Sequence, residues 1–210
     1  MKKWTIYLQL LTLSLFIVGC SNTSHKPSSK KPADKQAAWE QRQVQFAKAK
    51  AWHLQGKVAI KHKAQNWPFG LSWQQQKGEN YEMDIKHPLT ARVIAHLKSD
   101  SQGVMLRGQD GKEYRDSNAE NLLKGQLGVG LPLQGMRYWV RGLSAPSYPN
   151  ANVNLDEYGR PVTLVQAGWS IQYPIYENTG QSALPSKVIL SNQANQTRIK
   201  VIIKDWEMQY

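Results

Sequence analysis

Five histidines, one cysteine and 15 carboxylates are the side chains on which proton transfer, nucleophilic attack or metal binding would draw in this chain. His25, His53, His62, His87 and His96 show neither the His-Glu-x-x-His nor the His-x-x-x-His spacing that turns two imidazoles toward one metal ion. His53 and His62 occupy polar positions of alternating runs, where a solvated ring is the ordinary outcome. Glu82 and Asp84 share one strand face, and such a pair ordinarily marks a solvated edge. No Gly-x-Ser-x-Gly elbow presents a serine nucleophile. Gly125, Gly128 and Gly130 lack the spacing and the following Lys-Ser/Thr of a phosphate loop. Cys20 is the only thiol, which excludes an intramolecular disulfide and a cysteine-cluster zinc site. These residue types at these spacings assemble no enzyme, no metal site and no cofactor site.

Other features of the 210 residues carry more. Lys and Arg number 27 against 15 Asp and Glu, a formal charge of +12, and eight Trp contribute to an aromatic content of 10%. The length is that of one domain or two small ones. A basic balance fits nucleic acid, an anionic lipid surface or an acidic protein. No apolar run reaches the roughly 18 residues of a bilayer-spanning helix.

The first twenty residues choose the compartment. Met1-Lys2-Lys3 is a basic start, and Ile6 to Val18 is a mostly apolar stretch of 13 positions, the size of a secretory signal core. It ends in Ile17-Val18-Gly19-Cys20, which resembles a bacterial lipobox. The bland alternative is an ordinary signal peptide with a chance cysteine. The resemblance implies a diacylglyceryl group on the Cys20 thiol, cleavage before it and acylation of the new N-terminus. Each buried CH₂ of such chains contributes about 0.8 kcal/mol, so several chains anchor stably. Ser21 in place of Asp implies residence in the outer membrane, facing the periplasm, which makes nucleic acid an unsuitable partner.

Residues 1–19 are thus expected to be a lipoprotein signal peptide, and residues 20–36 a lipidated N-terminus with a flexible tether. Residues 21–36 hold two prolines and no large apolar side chain, so they cannot bury a core. Without Lys2 and Lys3 the charge falls to +10, of which the tether carries +3 and residues 37–210 carry +7.

Residues 37–210 read as one mostly β domain. Ala37 to Ala51 lacks Gly and Pro and fits an amphipathic helix. The period then becomes two. Trp52, Leu54, Val58 and Ile60 alternate with polar neighbours, as do Trp67, Phe69, Leu71 and Trp73, then Tyr81, Met83 and Ile85. Runs at 91–98 and 103–108 follow, with a hairpin signal at Asp110-Gly111. Ser117 and Glu120 form a capping box that opens a short helix. Pro132 suits the start of another helix, through Leu133, Met136, Trp139, Val140 and Leu143. Alternation returns at 153–158, 161–167, 168–173, 187–191 and 197–203. About ten strands and three helices are expected, the later two helices inserted mid-sheet. The large apolar side chains either close a dry core against these helices or line a cavity for an apolar ligand.

From Trp39 to Trp206 the order of motifs resembles the outer-membrane lipoprotein receptor LolB family. The resemblance is carried by Trp52-His-Leu-Gln-Gly-Lys-Val-Ala59, Phe69-Gly-Leu-Ser-Trp-Gln74 and Pro88-Leu89. Leu131-Pro132-Leu133, Tyr138-Trp139-Val-Arg-Gly142, Gln166-Ala-Gly-Trp169, Leu184-Pro185 and Ile203-Lys-Asp-Trp206 complete it. It implies a mainly β fold with α: an incomplete antiparallel β-barrel of about ten or eleven strands covered by about three helices, LolA/LolB-like. It also implies a monomer that takes acylated lipoprotein cargo from a periplasmic carrier of the LolA type and inserts it into outer-membrane lipid, with no cofactor. The basic domain would steer an acidic carrier surface, with association slowing as salt rises. Leu89 matches the family's protruding leucine, needed for delivery, although Thr90 stands where the family often has Gly. Ile60, Trp67, Trp73, Met83, Leu97, Trp139, Trp169 and Tyr173 are the expected acyl-chain contacts. A structural lipoprotein scaffold, a lipocalin-like lipid carrier and an envelope hydrolase are the alternatives.

Overall fold

The computed structural model describes residues 31–128 and 130–210; Cys20, the expected signal peptide and the first part of the expected tether lie outside them. Helix α1 (Lys35–Ala47) leads into β1 (Ala51–His62), β2 (Gln65–Gln75), β3 (Tyr81–Lys86), β4 (Val93–Asp100), β5 (Gly103–Gly108) and β6 (Glu113–Asp116). Helices α2 (Ala119–Leu127) and α3 (Leu133–Trp139) follow. The chain returns through β7 (Asn152–Leu155), β8 (Pro161–Gln166), β9 (Trp169–Tyr176), β10 (Pro185–Asn192) and β11 (Thr197–Gln209).

All eleven strands form one sheet in the order β6-β5-β4-β3-β2-β1-β11-β10-β9-β8-β7. The first half of the chain walks outward from β1 to one edge by antiparallel hairpins. Helices α2 and α3 cross to the opposite edge, and the second half walks back to β11, which pairs antiparallel with β1. The edges, β6 and β7, are four residues each and do not pair with one another, so the barrel stays open. Short edges leave little unpaired backbone to recruit another strand. The expected ten strands become eleven because Glu113–Asp116, a polar run without alternation, pairs with β5.

Side chains alternate between two faces, as period two requires. Trp52, Leu54, Val58 and Ile60 point to the helix-covered inner face, while Lys57 and Lys61 are exposed on the outer one. The alternation on β1 skips one apolar position, Gly56, and the reason is steric. A β-bulge lies between Gln55 and Gly56 opposite β11, and a Cβ on Gly56 would stand 2.4 Å from the Ile202 carbonyl oxygen.

The helices correct the sequence reading in detail. α1 starts two residues before Ala37 because the Asp34 carboxylate caps it, accepting from the Gln36 amide at 2.8 Å and the Ala37 amide at 3.2 Å. It ends at Ala47, since β1 claims Ala51 onward. α2 is capped by Asn118 rather than Ser117: the Asn118 side chain accepts from the Glu120 amide at 2.7 Å. The Ser117 hydroxyl instead donates to Asp116. α3 stops at Trp139, four residues before the expected Leu143. All three helices pack on the inner face, and the core is essentially one cluster reaching from Trp39 to Ile203.

Candidate functional site: an apolar inner face and a braced loop

The inner face collects the residues expected to meet acyl chains. Ile60, Trp73, Met83, Leu97, Trp139, Trp169 and Tyr173 are all buried in the main core cluster, and Trp67 packs half-buried against it. Trp73 lies 5.1 Å from Trp52 between ring centroids, and Trp139 of α3 lies 6.4 Å from Trp169. The helices fill this face, so its apolar side chains pack on one another. The Trp73 indole N–H and the Tyr173 hydroxyl have no hydrogen-bond partner among the described residues. Burial pushes the Tyr173 phenol well above its ordinary range, which keeps it a neutral donor. Two clefts flank the helices. One, of 240 Å³, lies between α3 and β3–β5 beside Tyr81, Val104 and Arg137. The other, of 540 Å³, lies beside α2 and has Trp169 and Glu120 in its wall.

What pins the helices is polar and was missed at the sequence level. Arg42 of α1 is fully buried and donates to the carbonyls of Gln181 at 2.6 Å, Arg141 at 2.8 Å and Gly142 at 3.5 Å. Arg141 donates back to the Phe46 carbonyl at 3.2 Å. Burial lowers both guanidinium groups to about 10, so both stay charged at neutral pH, solvated by peptide dipoles instead of water. On the other side Gln166 clasps the segment after α3: it accepts from the Trp139 indole at 3.0 Å and the Ala145 amide at 2.9 Å, and donates to Ala145 and Tyr148 carbonyls. An Arg in a helix pattern gives no sequence signal for such a role, because a surface Arg looks identical.

The β3–β4 loop is the opposite case. Leu89 is 89% exposed, more than any other large apolar side chain described; the next, Val44, is 59% exposed. The loop beneath it is braced. His87 donates its amide to the Arg92 carbonyl at 2.8 Å, and its own carbonyl accepts from Ala91 at 3.0 Å. The His87 Nδ1 atom accepts from the amides of Leu89 at 3.3 Å and Thr90 at 3.2 Å. Sequence reading weighed His87 only as a metal ligand; its position just before Pro-Leu in a hairpin connection is the signal that was available. The left-handed residue of the turn is Ala91, at φ 58°, so the turn places its strained position one residue beyond Thr90.

The sequence that builds this covered apolar face and its bare leucine matches a known family. A sequence profile described as "Outer membrane lipoprotein LolB" matches residues 50–206. The chain belongs to the LolB family. It is 32% identical to the outer-membrane lipoprotein LolB of Nitrosococcus oceani over 206 residues, covering 98% of this chain and 99% of the relative. It is also 32% identical to that of Alkalilimnicola ehrlichii, covering 84% of this chain and 87% of the relative. Among solved structures, a LolA superfamily protein from Nitrosomonas europaea shares the fold, with a TM-score of 0.50 and 8% identity over 85% of this chain and 95% of the other. Membership makes this protein an outer-membrane lipoprotein of lipoprotein localisation, a family without enzymatic function.

Proposed function

We propose that this protein receives acylated lipoproteins from a soluble periplasmic carrier of the LolA type, holds their acyl chains against its inner face and inserts them into the outer membrane. Cys20, carrying its own lipid, anchors it there. The observation that carries the reading is Leu89: an apolar side chain held bare to solvent by a braced loop, at the rim of an apolar interior. Transferring a leucine side chain from water into lipid is favourable by about 1.5–3 kcal/mol, and that stabilisation exists only at a membrane. Acyl chains enter along the flanks of α2 and α3, displacing these helices, Trp139 with them, from Ile60, Trp73 and Trp169. The buried Trp73 and Tyr173 donors lose nothing on that opening, since they have no partner to give up. A scaffold lipoprotein has no use for the flanking clefts, and a lipocalin-like carrier has none for Leu89.

The test is a transfer assay on the mature chain with Cys20→Ser. A carrier loaded with a triacylated lipoprotein is mixed with it, cargo is followed by pull-down, and liposomes are added afterwards. Cargo is expected to move to the protein and then to the liposomes, while Leu89→Glu accepts cargo and fails to deliver it. No acceptance by folded protein would sink the receptor reading and leave the scaffold.

A further inference from the structure

The outer face of the sheet sorts its charges by row, a pattern that appears only when the strand registers are laid side by side. Lys86, Gly70, Lys57, Ile202 and Lys187 are successive cross-strand partners on β3, β2, β1, β11 and β10. The next rows toward the β1–β2 turn pair Ala59 with Lys200 and Lys61 with Arg198. These six cations share their half of the face with no carboxylate: residues 57–70 and 178–204 contain neither Asp nor Glu. Among the described residues none of the six forms an ion pair. The rows at the other end are acidic. Asp84, Ser72, Gln55 and Asp205 form one, and Glu82, Gln74, His53 and Glu207 the next.

We infer that the basic half is a docking surface for the phosphate layer of an anionic phospholipid membrane. It orients the domain so that the Leu89 loop meets the bilayer, and in this it rests on the insertion role proposed above. Two further features favour lipid as the occupant. The band is continuous with the loop, since Lys86 is the last residue of β3 and pairs with Val93, the first of β4. It also carries exposed apolar groups in line with its lysines: Ile202 at 40% and, beyond Lys187, Ile175 at 52%. Four strand spacings separate Lys86 from Lys187, a width of about 19 Å, which spans several headgroups. A carrier, by contrast, must hand cargo to the inner face, on the other side of the sheet. The acidic rows would be repelled by the same membrane, so the polarity fixes one tilt.

Vesicle sedimentation of the mature chain with Cys20→Ser tests this, since residues 31–210 contain every described helix and strand. Vesicles of phosphatidylethanolamine with phosphatidylglycerol are compared with phosphatidylcholine alone, at rising salt. Binding is expected to be stronger to the former and to fall as salt rises. Each cation near an anionic surface is worth about fivefold in partitioning. Lys57→Gln/Lys187→Gln/Lys200→Gln should therefore weaken binding at least ~10-fold. Lys48→Gln/Lys77→Gln/Lys124→Gln, which removes the same charge elsewhere, should change it less than about twofold. Equal loss in both variants, unchanged binding of the first, or no preference of the parent chain for anionic vesicles overturns the proposal. So does a first variant that keeps vesicle binding but no longer captures cargo from the carrier, which would make the band a protein interface. Leu89→Glu separates the two readings: it should retain salt-dependent binding while losing delivery. If it delivers normally, the loop reading fails and the band stands or falls on vesicle binding alone.

Discussion

Arg42 and Leu89 break the usual burial rule in opposite directions, and the comparison is instructive. Arg42 is a charge with no exposed surface; Leu89 is an alkyl group with 89% of its surface exposed. The first is resolved inside the molecule, because the Gln181, Arg141 and Gly142 carbonyls replace the water that the guanidinium lost. Nothing inside the molecule resolves the second. Its neighbours in the loop, the His87 ring above all, hold it away from the rim instead of letting it fold back. A buried polar group with all its partners explains itself as structure. An apolar group braced outward points to something beyond the chain.

The largest effect expected from breaking this comparison is on the buried side. Arg42→Met leaves three carbonyls without their donor, at roughly 1–3 kcal/mol for each group. A loss of about 3 kcal/mol or more in urea unfolding is expected. A smaller loss would mean that water or a neighbour takes over the site. Leu89→Glu should do the reverse: delivery to liposomes falls about 10- to 100-fold, the equivalent of losing 1.5–3 kcal/mol of apolar transfer. Its unfolding midpoint should move by no more than about 0.5 kcal/mol in stability. Equal destabilisation by both variants would collapse the distinction between them.

His87→Ala sharpens the case for bracing. It keeps Leu89 and removes the acceptor of two amides, each worth about 1 kcal/mol. Amide exchange at Leu89 and Thr90 should accelerate, and delivery should drop several-fold while acceptance holds. Unchanged exchange would show that the backbone bonds of the loop suffice. The smallest effect concerns a buried polar group of the other kind. Tyr173→Phe removes a hydroxyl that has no partner, so stability should stay level or rise by up to about 1 kcal/mol. Clear destabilisation in thermal melts would mean that the hydroxyl is satisfied after all.

How much of this was legible without the structure varies by element. Strands β1, β2 and β3 announce themselves, because one face must be apolar and period two is unmistakable in Trp52–Ile60, Trp67–Trp73 and Tyr81–Ile85. β6 was invisible: Glu113–Asp116 has no apolar face, and only pairing with β5 makes it a strand. The Ser117 capping box was a sound local rule beaten by a neighbour, since Asn118 offers the same chemistry one residue later. Leu89 was marked in the sequence by the family resemblance, as a protruding leucine; its exposure follows from how His87 closes the loop.

The residue order alone determined the periodicities, the inward apolar set and the place of two helices between two runs of strands. These are local or one-dimensional properties, imposed by the repeat of helix and strand and by the cost of leaving large apolar groups in water. The tertiary structure alone decided what depends on register and on contacts between residues far apart in the chain. Arg42 meets carbonyls some hundred residues and more away, and Lys57, Lys86 and Lys187 fall into one row only because each antiparallel pair sets which residues stand opposite. Shifting any one pair by a single residue would turn that row to the other face, because side chains alternate with period two.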